Sequence, residues 1–184
     1  TADQFRAIVV RGAASGGLTL DGGTLRVTGT TFRSTARTLT LGSAGGGFDI
    51  ADADNTFTVD QALSGSGSLT KRGIGTLLLT GANTYTGGTV VEAGTLVGDT
   101  ASLRGAIADN ATLSIAQASD GSFDGTLSGH GTLLKSGAGT LTVNGTNPFA
   151  GTTTVQAGSL VVGDDSHASA TLGGTVTVAA GATL

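Results

Sequence analysis

The chain has 184 residues, of which 38% are hydrophobic and only 12% are charged, and its net charge is −4. Disordered chains are rich in charge and poor in aliphatic residues, so this composition predicts a folded domain. The scattered Lys and Arg argue against a nucleic-acid partner, the absence of Cys excludes disulfides and thiol chemistry, and no apolar run is long enough for direct membrane insertion as a helix.

Short segments in which apolar residues alternate with Thr, Ser, Gly or charged residues follow one another along the sequence. Alternation at period two predicts half-buried β-strands, and Gly-Gly, Ala-Gly, Asp-Gly and Asn-Gly pairs separate them as turns. In chain order the segments are 18–20, 25–27, 39–41, 48–50, 57–59, 77–79, 113–115, 141–143 and 176–178. We therefore predict an all-β fold with negligible helix.

One long segment occurs twice: residues 63–97 and 127–161 align without a gap, with 19 of 35 positions identical. A sandwich would need longer hairpin strands, and a propeller would need a blade signature that includes Trp, which this chain lacks. A parallel β-solenoid suits short strands with glycine corners. The separation between the two copies then predicts three coils of roughly 21 residues each between them. At that coil length the whole chain would have about eight to nine coils.

The two copies carry a long, position-specific pattern. In the first it reads Gly65-x-Gly67-x-Leu69-x-Lys71-x-Gly73-x-Gly75-Thr76-Leu77, then Leu79-x-Gly81-x-Asn83-x-Tyr85-x-Gly87-x-Thr89, then Val91-x-Ala93-Gly94-x-Leu96. This pattern resembles the passenger-associated transport repeat of autotransporters, the type V secreted proteins of Gram-negative bacteria. The second copy repeats it from Gly129 to Leu160, with Phe149 in place of Tyr85.

The resemblance implies a right-handed parallel β-helix, 1–184, that forms one segment of a longer passenger. It also implies secretion through the passenger's own C-terminal outer-membrane β-barrel and a location at the cell surface or outside the cell. The start at Thr1 without Met and the end at Leu184 in mid-coil agree with a piece of a longer chain, so we expect further coils or a capping domain. The residues that the resemblance marks as structural are Gly65, Gly67, Leu69, Gly73, Gly75, Leu77, Asn83, Tyr85, Gly87, Gly94, Leu96, Gly129, Gly131, Leu133, Gly137, Gly139, Leu141, Asn147, Phe149, Gly151, Gly158 and Leu160.

Few residues suggest chemistry. His130 and His167 would be needed for a catalytic triad or a metal pair, but both fall in polar or glycine-flanked turns, and we interpret them as exposed loop residues. Asp49, Asp52 and Asp54 are the tightest acidic group, and calcium binding there is left open, although the spacing matches no calcium-binding loop. We predict no catalytic, cofactor-binding or metal residue.

Two polar pairs recur at the same place in both copies. Lys71 and Lys135 are expected to point outward and keep the solenoid soluble. Asn83 and Asn147 precede the aromatic residue and are expected to be either turn residues or an internal ladder of amides.

Three functions compete. The leading hypothesis is a structural stalk that promotes folding-coupled secretion and presents an effector domain. The alternative is an adhesive or partner-binding surface, for host attachment or self-association. The third, a carbohydrate-active β-helix enzyme, is disfavoured because the acids are dispersed and glycoside chemistry needs paired carboxylates.

Overall fold

A computed structural model describes residues 16–184, and the first fifteen residues of the predicted 1–184 segment lie outside the described residues. The described part holds strands and turns with no helix, so it contains no helix that could cross a membrane. The strands are β1 Leu18–Leu20, β2 Gly23–Val27, β3 Leu39–Leu41, β4 Gly46–Ile50, β5 Thr56–Val59, β6 Leu63–Gly65, β7 Leu69–Arg72, β8 Thr76–Leu79, β9 Thr89–Val91, β10 Thr95–Gly98, β11 Ile107–Asp109, β12 Thr112–Ala116, β13 Gly121–Phe123, β14 Leu127–Gly129, β15 Thr132–Ser136, β16 Thr140–Val143, β17 Thr146–Asn147, β18 Thr152–Val155, β19 Ser159–Val162, β20 Thr171–Leu172 and β21 Thr175–Val178.

The chain winds through three sheet faces in a fixed order. Face 1 holds β1, β3 and β6 and, in later coils, β13, β16 and β19; face 2 holds β2, β4, β7, β9, β11 and β14, continued by β17 and β20; face 3 holds β5, β8, β10, β12, β15, β18 and β21. Neighbouring strands within each sheet come from successive coils and pair in parallel. The result is a parallel β-solenoid of about eight turns, which confirms the predicted all-β solenoid.

Alternation sends one row of side chains on each strand into the interior, where rows stack from coil to coil. On face 3 one inward row continues in register through the seven strands as Phe57, Leu77, Leu96, Leu113, Leu133, Thr153 and Val176. The apolar members of this row from Phe57 to Leu133 are at most 1% exposed. Each buried Leu or Phe contributes about 1.5–3 kcal/mol, so stacked interior rows supply the main stabilisation.

The offset between the two copies does not equal three whole coils, and that prediction was wrong. Leu69 pairs with Thr89, Thr89 with Ile107 and Ile107 with Leu127, so three coils that begin at Leu69 end at Leu127 and are unequal in length. Leu133, the counterpart of Leu69, lies beyond that point on the next face. The second copy is therefore turned by one face around the solenoid axis relative to the first.

The internal pairing of the two copies is nevertheless the same. In the first copy β7 pairs with β9, and β8 with β10; in the second β15 pairs with β18, and β16 with β19. The repeat therefore specifies how one coil rests on the next and leaves open which faces of the solenoid it occupies.

Glycine at the corners allows each turn to rest directly on the turn of the preceding coil. Among the described residues every positive φ belongs to a glycine. A Cβ at Gly158 (φ +67°) would meet the carbonyl oxygens of Gly137 and Gly139, whereas a Cβ at Gly105 (φ +65°) would meet nothing within 4 Å. The two positions share a left-handed backbone and differ in how closely the neighbouring coil approaches.

We expect Gly158→Ala to destabilise the chain more than Gly105→Ala. The left-handed backbone costs about 1–2 kcal/mol in both variants. At position 158 the added methyl must also displace backbone of the coil below, so the total loss should reach about 3 kcal/mol or more. Urea unfolding followed by circular dichroism measures both, and equal losses would contradict the tight stacking of turns.

Candidate functional site in the two repeats

Each repeat buries a lysine whose ammonium group is enclosed by backbone carbonyls. Lys71 and Lys135 have no exposed surface (0% each). Lys71 Nζ donates to the carbonyl oxygens of Arg72 at 2.7 Å, Gly73 at 2.8 Å and Ala93 at 3.0 Å. Three acceptors match the three N–H donors of an ammonium. Because the Ala93 carbonyl belongs to the following coil, the lysine ties two coils together at one corner.

Lys135 repeats this arrangement one face further round. Its Nζ donates to Ser136 O at 3.1 Å, Gly137 O at 2.8 Å and Ala157 O at 2.9 Å. The left-handed φ of Gly73 (+72°) and of Gly137 (+81°) belongs to the turn whose carbonyls receive these bonds. The cage is therefore built by the repeat itself, whichever face the repeat occupies.

The prediction that the two lysines point outward was wrong. Lys71 lies two residues after the buried Leu69 on the same strand, so alternation places it inside, in one row with Phe48 and Val91. Its aliphatic stem extends an apolar row, and only the ammonium needs polar partners. Burial lowers the pKa of Lys71 to about 8, although the nearby Asp49 carboxylate acts in the opposite direction. Burial also lowers the pKa of Lys135.

The recurring asparagines bridge coils rather than forming an amide ladder with each other. Asn83 Oδ1 accepts from Leu63 N of the preceding coil at 2.8 Å, and its Nδ2 donates to Ser102 O of the following coil at 2.6 Å. Asn147 does the same with Leu127 N at 2.7 Å and Thr171 O at 2.9 Å. Both are 1% exposed. One side chain thus joins three successive coils. The partners of both amides are backbone groups, so the expected ladder between asparagines is wrong, and Asn147 is a strand residue of β17 rather than a turn residue.

The aromatic position differs between the copies in one atom, with a visible consequence. Tyr85 Oη lies 2.7 Å from Thr89 Oγ1, and both side chains are buried. In the second copy Phe149 has no hydroxyl, and the corresponding Thr153 Oγ1 is buried without a hydrogen-bond partner. A buried hydroxyl without a partner costs stability, so the second copy carries a defect that the first does not.

The histidines and aspartates that were considered for chemistry lie apart from one another. His130 and His167 are both exposed, and His167 Nδ1 contacts Asp164 Oδ1 at 2.7 Å within one turn. Asp49 lies 3.4 Å from Arg26 Nε on face 2, and Asp52 accepts from Asp54 N inside its own turn. No group of three or more His, Cys, Asp or Glu in residues 16–184 is placed to hold a metal ion.

The sequence interpretation missed a buried carboxylate on face 2. Asp109 is 1% exposed; its Oδ1 accepts from Ala111 N at 3.1 Å, and its Oδ2 has no partner. Burial raises the pKa of Asp109 to about 6, opposed by hydrogen bonds from backbone N–H groups and by His130. The sequence contained a signal for this burial. Asp109 follows the buried Ile107 by two residues on the same strand, and alternation therefore points its side chain inward.

Known proteins share the repeat and most of the chain. The model of the passenger-associated-transport-repeat matches residues 69–97 and 133–162. The chain is 39% identical over 195 residues to the Adhesin BmaC autotransporter of Brucella suis biovar 1 (strain 1330), in an alignment that covers 85% of this chain. That alignment covers 6% of the relative, so the chain spans a small part of that protein's length. No solved structure matched the chain.

Parallel coils joined by buried lysine and asparagine bridges define a repeat-built β-solenoid. The matched repeats and the autotransporter relative specify its kind. The chain is a segment of an autotransporter passenger with passenger-associated transport repeats, located at the cell surface or secreted from a Gram-negative bacterium.

Adding the missing hydroxyl to the second copy should stabilise it. Phe149→Tyr places an Oη where Tyr85 has one and gives Thr153 Oγ1 a partner, so we expect a gain of about 0.5–1.5 kcal/mol in the free energy of unfolding. Tyr85→Phe is the matched control and should lose a similar amount. Thermal and urea unfolding measure both variants. Destabilisation by Phe149→Tyr would show that the second copy has no room for the hydroxyl.

Removing the buried lysine should change how stability depends on pH. The folded-state pKa of Lys71 is about 8, below the unfolded value of 10.5, so the unfolded chain binds more protons between these values and stability rises with pH. Between about pH 7 and about pH 9.5 the titration of Lys71 should raise the free energy of unfolding of the wild type by about 2 kcal/mol. Lys71→Met has no such group and should not show this rise.

Urea midpoints of the two proteins at both pH values measure this difference, and Ile74→Ser serves as the control because Ile74 lies in the same turn and is 66% exposed. Parallel pH profiles for wild type and Lys71→Met would contradict a depressed lysine pKa.

Proposed function

We propose that this segment is a stalk within a surface-displayed adhesin passenger, where it drives folding-coupled secretion and holds an effector domain away from the cell surface. The observation that carries the proposal is the set of coil-to-coil bridges buried in each repeat. These bridges give the stack rigidity along its axis, which a spacer needs. The proposed partner in secretion is the passenger's own C-terminal outer-membrane β-barrel.

The bridges make the coils depend on one another in sequence. Lys71 obtains its third acceptor, Ala93 O, only when the following coil is in place, and Asn83 needs partners in the coils on both sides. A coil that folds alone leaves a buried ammonium and a buried amide incompletely bonded, at a cost of about 1–3 kcal/mol for each unpaired group. Folding that has begun therefore favours addition of the next coil, and stepwise addition outside the cell favours outward movement of the unfolded remainder.

We further propose that the segment is not an enzyme. Its two buried lysines are bonded into the coil stack, and its two histidines lie in separate exposed turns. A second candidate, direct adhesion through the outer surface of the solenoid, is favoured by one observation: the relative that shares 39% identity is named an adhesin.

Substitution of a bridge separates the two candidates. In the intact surface protein, Asn147→Ala should slow the appearance of the passenger outside the cell, since Leu127 N and Thr171 O lose their partner. Adhesion per displayed molecule should not change. Asn110→Ala is the matched control, because Asn110 is exposed in a turn, and it should alter neither quantity.

Pulse–chase labelling with protease accessibility on whole cells measures display, and attachment to host cells, divided by display, measures adhesion. Normal display kinetics for an Asn147→Ala protein whose isolated chain is clearly destabilised would refute folding-coupled secretion. A deletion of residues 69–106 removes two whole coils, because Leu69, Thr89 and Ile107 occupy the same place in successive coils. If the shortened protein is displayed normally but no longer adheres, the second candidate is correct.

A further inference from the structure

Asp109 is the one Asp or Glu among residues 16–184 that is buried. It is the last residue of β11, and the pairing places it in one inward row with Lys71, Val91 and Gly129. β11 lies between the two matched repeats, residues 69–97 and 133–162, so this carboxylate belongs to the part of the chain that joins them. Neither the coil-to-coil bridges nor the proposed stalk function explains why an acid is buried at this place.

The turn after Asp109 satisfies its side chain less completely than the carbonyl cage satisfies Lys71. Oδ1 of Asp109 accepts from Ala111 N at 3.1 Å, whereas Oδ2 has no hydrogen-bond partner. Ala111 follows Asp109 by two residues as Gly73 follows Lys71, but Gly73 has a left-handed backbone and Ala111 does not. The turn therefore presents an N–H group to the acid instead of carbonyls. An ionised carboxylate can accept about four hydrogen bonds, so much of its hydration is lost here without replacement.

The charged and titratable side chains on the adjacent strands point away from Asp109. In the preceding coil Glu92 lies on the outer surface in an ion pair with Arg72 at 2.7 Å. In the following coil His130 is exposed. Lys71 lies two coils away, with its ammonium bonded to three carbonyls, and β12 of the same coil has no charged residue. The attraction of His130 favours the ionised acid, but burial outweighs it and raises the pKa of Asp109 from 3.8 to about 6.

The turn of the following coil closes directly over this carboxylate. A Cβ at Gly131 would lie 2.7 Å from Asp109 Oδ2 and 2.7 Å from Ala111 O. These two oxygens therefore border the same space beside Gly131, and both are hydrogen-bond acceptors while the acid is ionised. A proton on Oδ2 removes the charge and converts this oxygen into a donor, with the Ala111 carbonyl beside it as an acceptor.

We propose that Asp109 is a proton-sensitive joint between the two repeats, which takes up a proton under mildly acidic conditions and thereby strengthens the contact between β11 and β14. The ionised form leaves a buried, incompletely bonded charge at this contact, and the protonated form does not. The inference is independent of the proposed stalk function.

The direction of the effect follows from the difference between the folded and unfolded chains. The folded chain holds the proton of Asp109 more tightly than the unfolded chain does, so stability is gained as the pH falls through about 6 and is lost as the pH rises through it. Lys71 acts in the opposite direction above neutral pH, because its folded-state pKa is about 8. Both buried groups are therefore mainly charged only between these two pH values, and the fold carries its largest burden of buried charge there.

Urea unfolding of the whole chain at pH 7.5 and at pH 5 tests the proposal. Asp109→Asn keeps an acceptor for Ala111 N and cannot be ionised, so it imitates the protonated acid at both pH values. Asp60→Asn is the matched control, because Asp60 is exposed. Relative to Asp109→Asn, we expect the folding equilibrium constants of the wild type and of Asp60→Asn to rise about tenfold from pH 7.5 to pH 5.

A carbon-13 NMR titration of the Asp109 carboxyl in the wild type gives a second measurement, which does not require the variant to fold. We expect a midpoint at about pH 6. A midpoint near the ordinary aspartate value of about 3.9 would overturn the proposal. Parallel pH profiles of wild type and Asp109→Asn would also overturn it, as would an equal loss of the pH response in Asp60→Asn.

Discussion

In-register stacking of parallel coils is the constraint on which the rest of this structure depends. The coils are separated only by the strand spacing, so the backbone at many corners lies almost in contact with the corner of the preceding coil. Hypothetical Cβ atoms at Gly87, Gly94 and Gly151 meet main-chain atoms of the preceding coil. This constraint explains much of the glycine content of residues 16–184. Many of them provide space for an adjacent turn, and others also provide a left-handed backbone.

The same constraint decides where polar groups can be buried. A coil has no second layer behind it, so a buried donor or acceptor must find its partner in its own turn or in an adjacent coil. Lys71 uses both, with two acceptors in its own turn and one in the next coil. Burial lowers the pKa of Lys71, which means that the interior disfavours the charged form of this side chain. Both Lys71 and Lys135 are nevertheless buried, and each donates a hydrogen bond to the following coil that fixes the relative position of neighbouring corners.

Much of the fold followed from alternation and from the repeated pattern, while the winding and the lysine orientation did not. A fixed separation between two copies reports chain distance and contains no information on how that distance is divided among coils. Three equal coils account for the separation between the copies as well as three unequal coils followed by a step to the next face do. The lysines were misjudged for a different reason. Alternation from Leu69 and from Leu133 places both lysines inside the solenoid, whereas the expectation that they keep the solenoid soluble places them outside, where charged residues usually lie. The carbonyl cage that makes burial possible is a property of the turn and of the next coil, and single-strand reasoning does not include either.

The rotation of one copy by a face separates what the repeat preserves from what it leaves free. Positions that keep their residue are mainly inward or at corners, such as Lys71 and Lys135, Asn83 and Asn147. Outward positions change: Thr70 becomes Leu134, and Arg72 becomes Ser136. Since the copies face different directions, one repeated outer pattern would not form a continuous surface along the solenoid. On face 3 an outward row does continue from coil to coil, because the first residue of each of its seven strands is Thr, in strands inside and outside the repeats alike. The repeat therefore accounts for the stacking of coils, whereas a continuous outer surface is formed by rows that run along a face and cross the boundaries of the repeats.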